Sequence, residues 1–220
     1  MSDLREAVTR NSLLLAGFAV LTALLVAGTF LGTRDRIEAA QRAAEEKALL
    51  EIFPRELHDN AMLDDRIEAP VQDPLLQLPQ SKSIYIARKA GKAAAALIPV
   101  RAPDGYSGAI DLLVGVNRDG SVAGVRVLQH RETPGLGDAI DHRKSDWLES
   151  FRGRSLKDPA PDGWTVRKDG GEFDQFTGAT ITPRSVVKAT ARALEYAEAQ
   201  RSVLFRDAAN LADDARVEGP

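Results

Sequence analysis

A charge-free apolar stretch near the N-terminus most constrains how this chain can fold. Residues 11–33 contain no Asp, Glu, Lys or Arg, and residues 13–31 are dominated by Leu, Ala, Val and Phe. About 20 such residues are needed to cross the hydrocarbon core of a bilayer as a helix. The sequence therefore predicts a single transmembrane helix over 12–32, preceded by a short terminus, 1–11, and followed by the rest of the chain on the opposite side.

A cleaved signal peptide is the alternative interpretation of this stretch. Signal peptides also carry basic residues before an apolar core, and Ala27-Gly-Thr29 has the small residues typical of a cleavage site. Their apolar cores are usually about 7–15 residues long, however, which favours a retained anchor. Two arginines precede the stretch and two follow it, so charge does not give the orientation.

The composition of the remaining chain excludes several classes of function. The net charge is −3 and no basic run occurs, which argues against a nucleic-acid partner. The chain has no cysteine, so thiolate-ligated iron–sulfur clusters, disulfides and thiol nucleophiles are excluded. His130 and His142 lack a third ligand at any recognised spacing, so we predict no metal site.

The order of secondary-structure signals predicts an α+β fold. A helix is expected over 35–53 within a stalk or first helix, 33–58, because apolar residues recur every three or four positions until Pro54. Residues 59–83 read as a loop, and one soluble domain is expected over 59–205 with a tail over 206–220. Strand patterns cover 83–88, 93–100, 110–116, 122–128 and 165–167. A short helix is expected over 145–151 and a longer one near 184–205, so the antiparallel sheet should be flanked by helices.

The most informative local pattern is Asp174-Gln-Phe-Thr-Gly-Ala-Thr-Ile-Thr-Pro183, which leads into that last helix. Thr182 is predicted as the N-cap, and Pro183 suits the first helical turn. Thr177, Gly178, Ala179 and Thr180 thus stand beside unpaired N–H groups at the positive end of a helix dipole, where a phosphate is stabilised.

A second pattern, His130-Arg-Glu-Thr-Pro-Gly-Leu-Gly-Asp138, follows the last strand of the predicted hairpin. One proline and two glycines make this loop rigid and allow a ligand to approach its backbone closely. Glu132 and Thr133 offer an acceptor and a hydroxyl, and Leu136 an apolar surface. A turn with solvated side chains is the alternative interpretation.

Together these patterns resemble a known family. The chain is similar to the FMN-binding family that comprises the G subunit of the Rnf electron-transport complex and the C subunit of the sodium-pumping NADH:quinone reductase. The similarity covers roughly residues 10–200 and is carried by Gly105-Tyr-Ser-Gly108, Val114-Gly-Val116, Gly124-Val125, His130 with Glu132-Thr-Pro-Gly-Leu-Gly137, Ser145-Asp-Trp147 with Phe151, and Thr177-Gly-Ala-Thr180.

The resemblance implies that FMN is held covalently, through a phosphoester to Thr180. Thr177, Gly178, Ala179 and Thr182 would surround the phosphate, and Glu132, Thr133 and Leu136 would line the flavin ring. It also implies a flavin transferase for maturation, membrane lipid and other complex subunits as partners, and a bacterial inner-membrane location with the soluble domain in the periplasm.

The chain is then expected to relay electrons within a complex that couples transfer between ferredoxin and NAD to ion translocation, without being a complete enzyme alone. The short sequence between the anchor and Gly105 favours the Rnf side of the family over the quinone reductase. A flavin-free structural or assembly protein with the same fold is the third alternative.

Overall fold

The structure is a computed structural model that describes residues 2–208, with the side chains of all of these except 2–9, 38 and 41. By its contacts the chain divides into two units, residues 1–45 and 46–220. The first unit belongs to α1, a helix over Ser2–Ile52. Within residues 2–208, α1 is the one helix long and apolar enough to cross a membrane, with a mean hydropathy of 2.3 in its most apolar window.

Helix α1 runs without a break through the segments predicted as two separate helices. No proline occurs before Pro54, and Gly32 costs only about 1 kcal/mol relative to alanine in a helix interior. The Thr33 hydroxyl donates to the Thr29 carbonyl at 2.7 Å, one turn back, so the polar residues that suggested a boundary are accommodated within the helix. The helix ends at Ile52, two residues before the proline.

The second unit is built on a five-stranded antiparallel sheet in the order β1-β2-β3-β4-β5. The strands are β1 Arg66–Glu68, β2 Ser83–Lys89, β3 Lys92–Ala102, β4 Ile110–Asn117 and β5 Val122–Gln129. The α+β class with an antiparallel sheet is thereby confirmed. The prediction missed β1, which lies in the proline-containing segment expected to be a loop and is only three residues long.

The helical elements differ in detail from the prediction. The expected helix over 145–151 is a 3₁₀ helix, Trp147–Phe151, and the last long helix is α2, Ile181–Ala199, followed by the single turn α3, Arg201–Leu204. Residues 165–167 were predicted as a strand, but Val166 forms only an isolated bridge with Phe173 before a 3₁₀ turn at Arg167–Asp169. The predicted tail lies outside the described residues from 209 onward.

Both faces of the sheet are covered, which explains why its central strands are buried on both sides. One face packs against α2 through buried Val186, Val187, Ala193 and Leu194. The opposite face holds the last turn of α1, where Leu49 and Ile52 pack with Leu97 and Leu113. Burial of one such aliphatic side chain stabilises the fold by about 1.5–3 kcal/mol, so both contacts are substantial.

Candidate functional site

The Thr177-Gly-Ala-Thr180 segment forms a tight turn immediately before α2. The Ala179 N–H donates to the Phe176 carbonyl at 3.1 Å, and Gly178 has a φ of +79°, a left-handed conformation that other residues rarely adopt. Thr177 and Gly178 are exposed, and Thr180 is half-buried. The turn therefore presents its backbone and hydroxyls to solvent while its end is fixed by the helix.

An aromatic contact supports this turn from its N-terminal side. The rings of Phe176 and Trp147 meet edge to face, with centroids 5.1 Å apart. Trp147 Nε1 also donates to the carbonyl of Asp174 at 2.8 Å. The 3₁₀ helix that carries Trp147 thus fixes both the side chain before the turn and the backbone leading to it.

The start of α2 differs from the prediction in a way that matters for the site. The helix begins at Ile181, and its N-cap position is occupied by Thr180, whose side chain makes no capping hydrogen bond. Thr182, predicted as the N-cap, is the second helical residue and is fully buried. Its hydroxyl is directed inward instead, where it donates to Glu132 Oε2 at 2.5 Å.

Glu132 is the residue that joins the two sequence patterns. Its side chain is buried, with 4% of the residue exposed. Oε2 accepts the Thr182 hydroxyl, and Oε1 accepts the backbone N–H of Ser107 at 3.1 Å. One carboxylate therefore links the loop after β5, the turn before β4 and the first turn of α2.

Two glycines allow the carboxylate to sit at this junction. A Cβ at Gly137 would lie 2.6 Å from Glu132 Oε2 and 2.8 Å from Thr182 Oγ1. A Cβ at Gly105 would lie 2.9 Å from Glu132 Oε1 and 2.3 Å from the Gly108 carbonyl oxygen. These distances are shorter than any normal contact of a methyl group, so the two positions require residues without a side chain.

The loop around Glu132 is fixed at its other end by Asp138, a residue that the sequence did not single out. Asp138 is buried, its Oδ1 accepts the Gly135 N–H at 2.8 Å, and its Oδ2 forms an ion pair with Lys144. The hydrogen bond from Lys144 lowers the pKa of Asp138 below its usual value, assisted by the Gly135 N–H. The only advance signal was its position directly after the two glycines.

Leu136 and Thr133 lie on the outer side of the same loop. Leu136 is 45% exposed, and its Cδ2 would lie 3.5 Å from a Cβ placed at Gly178. Thr133 is half-buried, and its carbonyl accepts the Leu136 N–H at 3.1 Å. The structure therefore brings the exposed leucine against the Thr177–Thr180 turn, which lies more than 40 residues further along the chain.

The charges around the start of α2 are largely paired. Arg184, in the first turn, donates to Asp169 at 2.6 and 3.0 Å, and this hydrogen bond lowers the pKa of the Asp169 carboxyl. The basic side chain closest in sequence to Thr180 is thus already bonded to the chain's own carboxylate. Among the side chains that the structure describes, no group of three or more His, Asp or Glu residues could hold a metal ion.

Comparison with known proteins shows which family the chain belongs to. The family model "FMN-binding domain" matches residues 105–195, and "RnfG N-terminal region" matches residues 1–52. The chain is 51% identical to the G subunit of the ion-translocating oxidoreductase complex from Pseudomonas aeruginosa UCBPP-PA14 over 202 residues, which cover 91% of this chain and 94% of that protein. The chain belongs to the family of G subunits of the ion-translocating oxidoreductase complex.

Other members of this G-subunit family match over a similar extent. That of Vibrio atlanticus is 45% identical over 205 residues, covering 93% of this chain and 97% of that protein. Among solved structures, Shewanella oneidensis NqrC is matched with a TM-score of 0.47 and 22% identity, over 66% of this chain and 74% of that chain.

The residues of this G-subunit family member fit an FMN phosphate and ring in their chemistry. The first turn of α2 provides backbone N–H groups and the positive end of a 19-residue helix, which favours an anion. Thr180 provides a hydroxyl that no cap bond occupies, and exposed Leu136 provides an apolar surface next to the turn. A helix N-terminus that favours an anion, beside an exposed apolar side chain, suits the two ends of a flavin nucleotide.

Proposed function

We propose that this chain carries FMN covalently on Thr180. The observation that carries the proposal is the half-buried Thr180 side chain, which occupies the N-cap position without capping the helix. A capping threonine has an extended backbone and bonds the helix's own N–H groups, whereas Thr180 has helical angles, φ −81° and ψ −28°. Here the hydroxyl is left for another bond, on a turn that glycine keeps accessible.

The attachment is a phosphoryl transfer without redox change. The Thr180 oxygen would form a bond to the FMN phosphorus while its proton leaves to a base or to water. FMN alone is a phosphate monoester without a good leaving group, so the donor must be activated, as in a flavin dinucleotide whose nucleoside monophosphate departs. A flavin transferase would bind this donor, and exposed Thr177 and Gly178 would give such an enzyme access to Thr180.

The surrounding residues would hold the product in distinct ways. The phosphodiester carries one negative charge, which the N-terminal end of α2 stabilises by about 0.3–1 kcal/mol. Gly178 and Ala179 leave room for the phosphate, and the Thr177 hydroxyl can donate to it. Leu136 and Thr133 would lie against the ring, while Glu132 and Thr182 form the buried part of the site. FMN, when bound, supplies the capacity to accept and release electrons.

We further propose that α1 anchors this flavoprotein in the bacterial inner membrane, with residues 1–11 cytoplasmic and the 59–205 domain periplasmic. There it would relay electrons between other subunits of a complex that couples transfer between ferredoxin and NAD to ion movement. The α1 span carries no charged residue between positions 11 and 33, so it offers no path for an ion. Ion movement would therefore belong to the partner subunits.

The attachment site can be tested by peptide mapping. Trypsin should release residues 169–184, which contain Thr177, Thr180 and Thr182, from the full chain coexpressed with a flavin transferase. We expect tandem mass spectrometry to locate the flavin phosphate on Thr180. The fluorescent band of the wild-type protein on a denaturing gel should be absent in Thr180→Val, which retains the fold.

Two results would contradict the proposal. Flavin on Thr177 or Thr182 would move the attachment site, and a dark wild-type band from cells with active transferase would favour a flavin-free protein. Membership in the complex is tested separately. Membranes lacking this chain should lose ferredoxin-dependent NAD reduction, and a chain carrying Thr180→Val should not restore it.

A further inference from the structure

The buried carboxylate of Glu132 contacts other parts of the chain, whereas the exposed residues of the site face solvent. Both of its oxygens are already engaged by donors of the chain itself, the Ser107 N–H and the Thr182 hydroxyl. Among the side chains that the structure describes, no Lys, Arg or His forms an ion pair with it. Burying a carboxylate without a cation is costly unless its hydrogen bonds are made, so these two contacts are required.

The Glu132 contacts reach the first turn of α2, two residues after Thr180. Thr182 follows Thr180 by two residues and is fully buried in the first turn of α2, which fixes where that turn begins. A second buried hydroxyl, that of Ser185, donates to the Asp104 carbonyl at 2.6 Å and ties the next turn to the same loop. The first turns of α2 are therefore attached to the 104–108 segment at two points, and Glu132 supplies one of them.

We propose that Glu132 is a positioning residue that, through Thr182 and Ser107, holds the first turn of α2 against the two loops and so places the Thr180 hydroxyl for flavin attachment. The inference rests on the proposed function of Thr180. It assigns Glu132 to the support of the site, with no contact to the flavin ring.

The chemistry of the junction limits which side chains fit at position 132. The Ser107 N–H can only donate, and the Thr182 hydroxyl donates here, so the carboxylate between them accepts twice. Glutamine can still accept from Ser107 and donate to Thr182, whose hydroxyl can reverse its role. Alanine leaves the Ser107 N–H without its partner, and Gly105 and Gly137 have no side chains to fill the space.

The test compares flavin attachment in a set of variants of the full chain, made with the transferase. Glu132→Ala and Thr182→Val should slow attachment about tenfold or more, since hydrogen bonds to a charged group have that weight. Glu132→Gln and Thr182→Ser should stay within about threefold of wild type, because each keeps a bond at the junction. Glu195→Ala, an exposed glutamate on α2, serves as the matched control and should not differ from wild type.

The double variant Glu132→Ala/Thr182→Val separates positioning from general destabilisation. If the two residues act as one unit, the double variant should be no slower than the slower single variant. Multiplying effects, or attachment by Glu132→Ala at the wild-type rate with an unchanged flavin visible circular dichroism spectrum, would overturn the inference. If Glu132→Ala fails to fold, Thr182→Val and Thr182→Ser carry the same test.

A measurement without flavin distinguishes the two proposals. In Thr180→Val protein, hydrogen exchange should become faster at residues 105–108 and 181–184 when Glu132→Ala is added, and should stay unchanged with Glu132→Gln. Unchanged exchange with Glu132→Ala would overturn the inference about the junction. Faster exchange combined with no covalent flavin in wild type would instead overturn the proposed function, and with it the role of Glu132 in placing Thr180.

Discussion

The contact between the end of α1 and the sheet gives a prediction that can be worked out in detail. Gly115 on β4 and Gly124 on β5 are direct cross-strand partners, and together they form a notch without side chains. Ile52, the last residue of α1 and 1% exposed, fills it. A Cβ added at Gly115 would lie 2.4 Å from Ile52 Cγ2, whereas one added at Gly124 would lie 3.5 Å from the same atom.

These two distances predict opposite outcomes for the same substitution. Carbon atoms pack best about 3.5–4.0 Å apart, so Gly115→Ala requires a movement of roughly 1 Å in a fully packed core. Such overpacking lowers the free energy of unfolding by about 1–3 kcal/mol. Replacing a strand glycine by alanine raises it by only about 0.5–1 kcal/mol. We expect Gly115→Ala to destabilise the domain by about 1–2 kcal/mol. Gly124→Ala should be neutral or stabilising by up to about 1 kcal/mol.

Thermal unfolding of the full chain in detergent measures this difference. Both tryptophans, Trp147 and Trp164, lie in the second unit, so their fluorescence reports its unfolding and not that of the membrane segment. A change of 1 kcal/mol shifts Tm by about 2–4 °C for a domain of this size, so Gly115→Ala should lower Tm by roughly 2–8 °C. Gly124→Ala is the matched control.

A double variant tests the stated cause. Ile52→Ala alone should cost about 2–5 kcal/mol, because it leaves a cavity in the notch. In Gly115→Ala/Ile52→Ala the new methyl group occupies part of that cavity, so the pair should be less destabilised than the sum of the single variants by about 1 kcal/mol or more. Equal Tm values for Gly115→Ala and Gly124→Ala, or strictly additive effects in the pair, would refute the reasoning.

Two further predictions concern the pH dependence of the loop and the topology of the chain. Because Lys144 lowers the pKa of Asp138, the ionised carboxylate stabilises the fold above its unfolded pKa of about 4, and this stabilisation is lost as the pH falls through the lower folded value. The Tm difference between wild type and Asp138→Asn should be constant from pH 7 to about 5 and shrink below about pH 4, and a gap that persists in acid would exclude this cause. Since the chain has no cysteine, single cysteines can report its topology. Asp162→Cys should react with a membrane-impermeant maleimide in intact spheroplasts, and Ser2→Cys should react only after lysis. The reverse pattern would contradict a periplasmic domain.

Local patterns in the sequence predicted most of the fold because they report local physics. The alternation of apolar residues located β2 to β5, and the glycine in Asn117-Arg-Asp-Gly120, with a φ of +90°, marks the turn between β4 and β5. The three-residue β1 escaped because it has too few residues to show a period, and it is stabilised by pairing with β2. The continuity of α1 was missed because polar residues at the end of an apolar span resemble a boundary.

The contacts around the start of α2 could not be predicted from local sequence patterns. Thr182 was expected to cap the helix, since its sequence position before Pro183 suits an N-cap. Its true partner, Glu132, is 50 residues away, and no local pattern reports that distance in space. For the same reason the sequence could not show that Glu132 is buried and that both of its oxygens accept hydrogen bonds from the chain itself.

This arrangement divides the site into an exposed part and a buried part with separate physical tasks. Thr177 and Leu136 are exposed, so their substitution should cost the fold little, whereas a side chain at exposed Gly178 would strain its positive φ. Glu132 and Thr182 are buried and joined to each other, so their substitution changes where the exposed part is held. If Thr180 carries FMN as we propose, the ester bond would retain the flavin while the buried contacts determine the position of its attachment point. Variants of the buried residues should therefore be compared by hydrogen exchange and by the flavin spectrum. Variants of the exposed residues should be compared by the extent of flavin attachment.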